Sequence, residues 1–315
     1  MSLGHTRLAI LVRSYHTAMD LSKALSLSLG ELTEPVVTRY RLGLIFWHLY
    51  EERSFHGEPL EGLEKKTKAD ASLLQTRLAE LESTGILTPH PNFENHAYRL
   101  LGRKEEDPAE VACAIDPFCY LSHLSAMAHH GLTDRLPAKL FLSSPALRDW
   151  KGEAQARMER DLESGLKRYL EAGLPALIHV KLKKIGPAEI RVLHSKHRGA
   201  FKNVKGKTLR VSTLGRTFLD MLRNPDHCGG IRHVVEVYRQ HAPVYLRLIV
   251  DELEQHGGPI DKVRAGYLLD EQCGVKDPTV ESWTRFAQRG GSRKLDAAAE
   301  YQPVWSDKWC LSLNL

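Results

Sequence analysis

Between residues 38 and 101 the apolar positions recur first at helical spacing and then at strand spacing. Leu42, Ile45, Phe46 and Leu49 fall on one face of a helix. Leu60 and Leu63 place a short second helix over about residues 60–66. Leu74, Leu78 and Leu81 define the inward face of a third. Asp70 opens that helix, because its carboxylate can accept from the N–H groups of the first turn. Gly85 closes it, because glycine tolerates positive φ. Residues 86–88 and 97–101 then pair as a hairpin across Pro91, Asn92, Phe93, Glu94 and Asn95, a turn-prone stretch.

This order of helix, turn, helix and hairpin reads as a winged helix-turn-helix and predicts sequence-specific binding of duplex DNA. The helix over 70–83 is then the recognition helix, with Ser72, Gln75, Thr76 and Arg77 outward. Gln and Arg side chains can make paired hydrogen bonds to base edges in the major groove. Lys65, Lys66 and Lys68 suit phosphate contacts, which set affinity rather than sequence. The wing offers His90, Asn92, Asn95, His96 and Arg99. A plain three-helix bundle with a hairpin, or a winged helix that binds protein, would carry the same pattern.

Residues 102–108, a charged stretch with Gly102 and Pro108, separate this domain (38–101) from a second one (109–289). Residues 1–37 form an N-terminal helical extension, with an amphipathic helix over about 6–27 that packs on the body or on a second subunit. Residues 290–315 read as a partly loose tail. In the second domain a helix is expected over 123–130, a strand over 140–143 and a long helix over 151–172, with Met158, Leu162, Leu166 and Leu170 on one stripe. Period-two alternation predicts strands over 177–183, 189–194 and 208–212. Helices are expected over 213–223, 230–241, 244–256, 261–273 and 279–288. The class is α+β: a winged helix-turn-helix followed by a mixed α/β domain with a helical C-terminal half.

Composition changes this picture little. The 315 residues are 42% hydrophobic and 26% charged, ordinary for a globular chain. A net charge of +5 suits an acidic partner without requiring one. No apolar run reaches the ~18 residues of a membrane span. The first 30 residues do not read as a signal peptide. The five cysteines are scattered and form no CxxC pair, which fits a reduced, cytoplasmic setting.

The basic run over 181–210 holds ten Lys or Arg residues and one acid, Glu189. Lys181, Lys183, Lys184, Arg191, Lys196, Arg198, Lys202, Lys205 and Lys207 form either a phosphate or partner surface or a solvated sheet face. There is no P-loop, no G-x-S-x-G, no H-E-x-x-H and no metal-ligand spacing, so no enzyme, cofactor or metal is expected. A nuclease built on Asp220 and Glu189 is the weakest reading. Asp220 lies one helical turn from Arg216, where a structural ion pair is expected.

Several motifs in order carry a family resemblance. They are YLSHLSAMAHHGL over 120–132, LPAKLFLS over 136–143, VSTLGRTFLDMLRNP over 211–225, CGGIRHVVEV over 228–237 and VRAGYLLD over 263–270. With the N-terminal unit, about residues 38–275 resemble the AbiEi-type antitoxins of bacterial abortive-infection (type IV) toxin–antitoxin systems. Arg216, Thr217 and Asp220 match a non-catalytic motif of that family. Gly215 stands where the family usually has an acid. The resemblance implies repression of the protein's own operon at inverted-repeat operator DNA. It also implies a second domain that counters a nucleotidyltransferase-like toxin without a stable complex. The alternative is a winged-helix transcription factor with a ligand-sensing C-terminal domain.

Overall fold

The computed structural model describes residues 19–63, 69–103, 107–194, 201–288 and 293–315. The chain is a mixed α/β protein with a helical C-terminal half. Its first unit runs α1 (Leu21–Glu31), β1 (Val36–Thr38), α2 (Arg39–Glu52), a small hairpin β2 (Ser54–Phe55) and β3 (Glu58–Pro59), α3 (Ala71–Ser83), β4 (Leu87–Pro89) and β5 (Ala97–Leu100). β1, β5 and β4 form an antiparallel sheet with β5 central.

Local chemistry explains these elements. Thr38 and Asp70 cap α2 and α3 by accepting from the Arg41 and Leu73 N–H groups. Gly85 takes φ +73 just after α3, a conformation that strains residues with a Cβ. Leu42, Phe46, Leu49, Leu74, Leu78 and Leu81 are buried together, with Leu21, Ala24, Leu25 and Leu29 of α1 in the same core. α1 and β1 therefore belong to this unit rather than to a separate extension. The expected helix over 60–66 is not formed at its start. Leu60 and Leu63 are buried from a turn that follows the β2–β3 hairpin, and residues 64–68 lie outside those described.

The second part begins with α4 (Pro108–Ile115), β6 (Tyr120–Leu121), α5 (His123–His129) and β7 (Leu140–Ser144). Next come α6 (Leu147–Leu162), α7 (Leu166–Glu171), β8 (Lys184–Ile185), β9 (Ala188–His194), β10 (Phe201–Asn203) and β11 (Arg210–Ser212). The six strands make one mixed sheet in the order β10-β11-β6-β7-β9-β8. Then follow α8 (Leu214–Arg223), α9 (Ile231–His256), α10 (Pro259–Gly266), α11 (Pro278–Ser282) and a last hairpin, β12 (Trp305–Ser306) and β13 (Leu311–Ser312).

Four expectations change here. Residues 177–183 form no strand: Leu182 is buried but Ile178 is exposed, and the Lys183 carbonyl accepts from the Ile190 N–H of β9 only where β8 is about to begin. The long helix breaks at Glu163, which takes φ +46, and Leu170 is exposed. The break lets Gly165 pack under the Trp47 indole, 3.3 Å from where its Cβ would sit. The two helices expected over 230–256 are one. α9 runs through Pro243 because Val234, Tyr238, Ala242, Ile249 and Leu253 bury one continuous stripe, outweighing the roughly 3 kcal/mol cost of an internal proline. The tail is folded from residue 293 onward, with Leu295, Trp309 and Leu311 in the core of the helical half.

Candidate functional site

α3 separates its faces cleanly. Leu74, Leu78 and Leu81 are buried, whereas Ser72, Gln75 and Thr76 are exposed along the N-terminal half. Arg39, at the start of α2, donates from Nη2 to Gln75 Oε1 at 3.1 Å. It thus places a cation beside the outward face of α3, a neighbour that sequence spacing does not reveal.

Arg77 is placed differently from the expectation. Its Nη1 donates to both Glu80 carboxylate oxygens at 2.8 and 2.9 Å. The Ser22 hydroxyl of α1 donates to the same carboxylate at 2.6 Å. The Arg77 hydrogen bond, followed by that of Ser22, holds Glu80 below the usual carboxylate range. Arg77 therefore ties α3 to α1.

The β4–β5 hairpin is docked rather than free. His90 is 3% exposed and tilts against Phe93, so it is not a surface contact. Phe93, Ala97 and Val36 share a core with Ala112, Ile115, Leu182 and Ile185 of the second part. Asn92 Oδ1 accepts from the Gly186 N–H at 3.0 Å. His96 is half-buried, and Arg99 is half-buried on the central strand β5. Asn95 stays exposed, and with His96 and Arg39 it lines a cavity of about 260 Å³ at the junction. Lys65, Lys66 and Lys68 lie outside the described residues.

The basic segment is split by the sheet. Lys181, Lys183 and Lys184 are exposed beside or on the β8–β9 hairpin, whose turn meets Asn92 of the β4–β5 turn, and Arg191 is exposed on β9. Lys202, Lys205 and Lys207 belong to the β10–β11 hairpin at the opposite edge, where Lys207 pairs with Glu110 at 3.2 Å. Strand alternation alone suggests one face; the strand order puts β6, β7 and β11 between the two groups. Lys196 and Arg198 fall outside the described residues. Arg210 is structural, donating to the carbonyls of Cys113, Asp116 and Cys119.

Arg216, Thr217 and Asp220 sit buried on α8. The expected one-turn pair is present, with Arg216 Nε 2.9 Å from Asp220 Oδ1. Thr217 shares a 2.8 Å hydroxyl hydrogen bond with Ser212 of β11. From α9, Glu252 brings a second carboxylate to 3.9 Å from Arg216, and burial raises its pKa. Gly215 permits this approach, because a Cβ there would run into the Leu248 carbonyl oxygen. Nearby, His123 takes φ +51, and burial lowers its pKa to about 4. Its Nδ1 lies 2.9 Å from Ser122 Oγ, which accepts from Ser143 Oγ at 2.9 Å. Over α8 and α9 lies a cavity of about 340 Å³, lined by Val204, Val211, Leu214, Leu248 and Glu252 among others.

No known family and no curated protein matches the chain. Among solved structures, the RV2827C protein from Mycobacterium tuberculosis is similar at 14% identity, with 92% of this chain and 90% of that chain covered. The TM-score of that pair is 0.46, too low to transfer function. Among the described residues no helix is long and apolar enough to cross a membrane.

Proposed function

We propose that the chain is a sequence-specific duplex-DNA-binding protein, its first unit acting as a winged helix-turn-helix with α3 in the major groove. The observation that carries this reading is the exposed row Ser72, Gln75 and Thr76 beside Arg39, on a helix whose other face is buried. Hydroxyl and amide side chains read base edges, while a flanking arginine suits either a base or a phosphate. Lys181, Lys183 and Lys184 extend the same footprint past the docked wing. The test is binding of the full chain to duplexes from upstream of its own coding sequence. Under this reading Gln75→Ala alters base preference at one operator position, and an unchanged preference at every position removes α3 from the role.

The resemblance of the second part to AbiEi-type antitoxins supports a further layer. The protein represses its own operon at inverted repeats and counters a nucleotidyltransferase-like toxin without a stable complex. Arg216, Thr217 and Asp220 would then hold the antitoxin domain in shape rather than perform chemistry. Coexpression with the product of the adjacent gene tests this layer. Growth arrest relieved by the intact chain supports it; arrest that persists leaves a regulator alone.

One observation favours a second reading. The cavity of about 340 Å³ against α8 and α9 has the size and apolar lining of a small-molecule site, as a ligand-sensing regulator would need. A lone gene, or one placed within a metabolic operon, would favour that reading.

A further inference from the structure

We propose that the cavity over α8 and α9 is a binding site for a small molecule with an apolar body and a protonated primary amine, the amine seated on Glu252. The inference rests on the ligand-sensing reading of that cavity and is independent of DNA binding. The walls are Val204 and Val211 of the β10–β11 hairpin, Leu214 at the start of α8, and Leu248 of α9. At about 340 Å³ the space falls within the roughly 300–1,000 Å³ of small-ligand sites, which pair apolar walls with a few placed polar groups.

The floor carries an uncompensated acid. Glu252 is 7% exposed, and what exposure it has faces the cavity that it lines. Its inner oxygen, Oε1, has no hydrogen-bond partner among the described residues. Among those residues Arg216 is the only cation within ion-pair distance of Glu252, and it is engaged more closely by Asp220. Its Nε lies 2.9 Å from Asp220 Oδ1, whereas its Nη1 is 3.9 Å from Glu252 Oε1. One guanidinium thus faces two carboxylates, and the nearer one matches its charge. Arg223, on the same helix, donates to Asp261 and to the His256 carbonyl.

A buried carboxylate in that position needs a proton or a second cation. Burial raises the Glu252 pKa, which favours the proton in the empty cavity. An ammonium entering over Val211 and Leu214 supplies the cation instead, while its apolar body covers the walls. A compact ammonium suits a single carboxyl at the end of a cavity, whereas a guanidinium favours a planar, two-pronged partner. An anionic ligand would meet both Glu252 and Asp251, with Lys202 the only lysine or arginine along the lining.

The test is equilibrium binding of 2-phenylethylamine to the full chain near neutral pH, beside 2-phenylethanol and phenylacetate, which have similar size. The expected order is amine tightest and phenylacetate weakest. Glu252→Gln keeps the side-chain size and removes the charge; it should weaken amine binding roughly tenfold or more and leave the alcohol unchanged. Leu248→Trp, at a 47% exposed position on the rim, should obstruct entry and weaken both. Circular dichroism checks folding; should Glu252→Gln not fold, Leu248→Trp and the order of the three ligands decide. Amine bound no more tightly than the alcohol, or bound equally well by folded Glu252→Gln, would overturn the proposal. Binding is measured without DNA, so the site and the sensing reading fail separately: operator affinity unmoved by bound amine would remove sensing and leave the site.

Discussion

Gln75 and Arg77 lie two positions apart on one helix, yet their side chains are committed differently. Gln75 is exposed and touched by Arg39, whereas Arg77 is held by Glu80 and, through it, Ser22. Gln75→Ala should therefore lose about 1–3 kcal/mol of discrimination at one operator base pair. Arg77→Ala should leave base preference unchanged and lower stability by about 1 kcal/mol or less, because the pair is partly solvated. Binding to a panel of single-base operator variants, with urea unfolding of each protein, separates the two. His123 carries a second prediction. Folded, its pKa is lowered to about 4 by burial; unfolded, it protonates below about 6.5. Between those values the unfolded chain holds more protons, so stability falls as pH drops from about 6.5 to about 4 and is unaffected by this group below that. The loss amounts to about 3 kcal/mol at most. His123→Gln should flatten this part of the pH–stability curve, and an unchanged slope would assign it to other groups. The exposure of Ser72, Gln75 and Thr76 is legible in the 3.6-residue period. The Ser22 bond that ties the Arg77–Glu80 pair to α1 is not, because that partner lies 58 residues away; the burial of His90 is not either, because the β4–β5 turn packs on the second part of the chain.

Helices and strands tell the same story at longer range. α3, β4, β5, α5, β7, β9 and α8 are formed close to where periodicity and caps place them. The failures share a cause, namely packing that overrides a local signal. Pro243 does not split α9, the helix that Met158 and Leu162 begin stops at Glu163 where Gly165 packs under Trp47, and Trp309 anchors a tail that reads as partly loose. The α8–α9 crossing is close enough that Gly215→Ala should cost about 1–3 kcal/mol through overpacking against the Leu248 carbonyl. Trp309→Ala should cost more, about 3–5 kcal/mol, by opening a cavity between α10 and the last hairpin. Chemical denaturation of the two variants gives both values. A Trp309→Ala protein as stable as the parent would mean the tail does not hold the helical half.

The two parts of the chain are joined by more than a linker. Tyr40 donates to Asp161 at 3.0 Å, Trp47 meets Tyr169 edge-on at 5.7 Å, and Phe93 enters the core of the second part. The charged stretch over 102–108 marks a boundary in composition that the packing crosses; long-range packing of this kind leaves no local trace in a sequence. One consequence concerns the basic residues. Lys181, Lys183 and Lys184 sit beside the docked β4–β5 hairpin, while Lys202 and Lys205 occupy the other edge of the sheet. Alanine at the first three should weaken DNA binding and lower the salt dependence by about 0.9 in log–log slope for each phosphate that is no longer neutralised. Alanine at Lys202 and Lys205 should change neither. The most direct test of the account is titration of the full chain against the duplex upstream of its own coding sequence, beside a scrambled duplex of equal length, at two salt concentrations. The account predicts tighter binding to the upstream duplex at both, with the preference reduced in Gln75→Ala. Equal affinity for the two duplexes, or a preference that survives alanine at Ser72, Gln75 and Thr76 together, would contradict it.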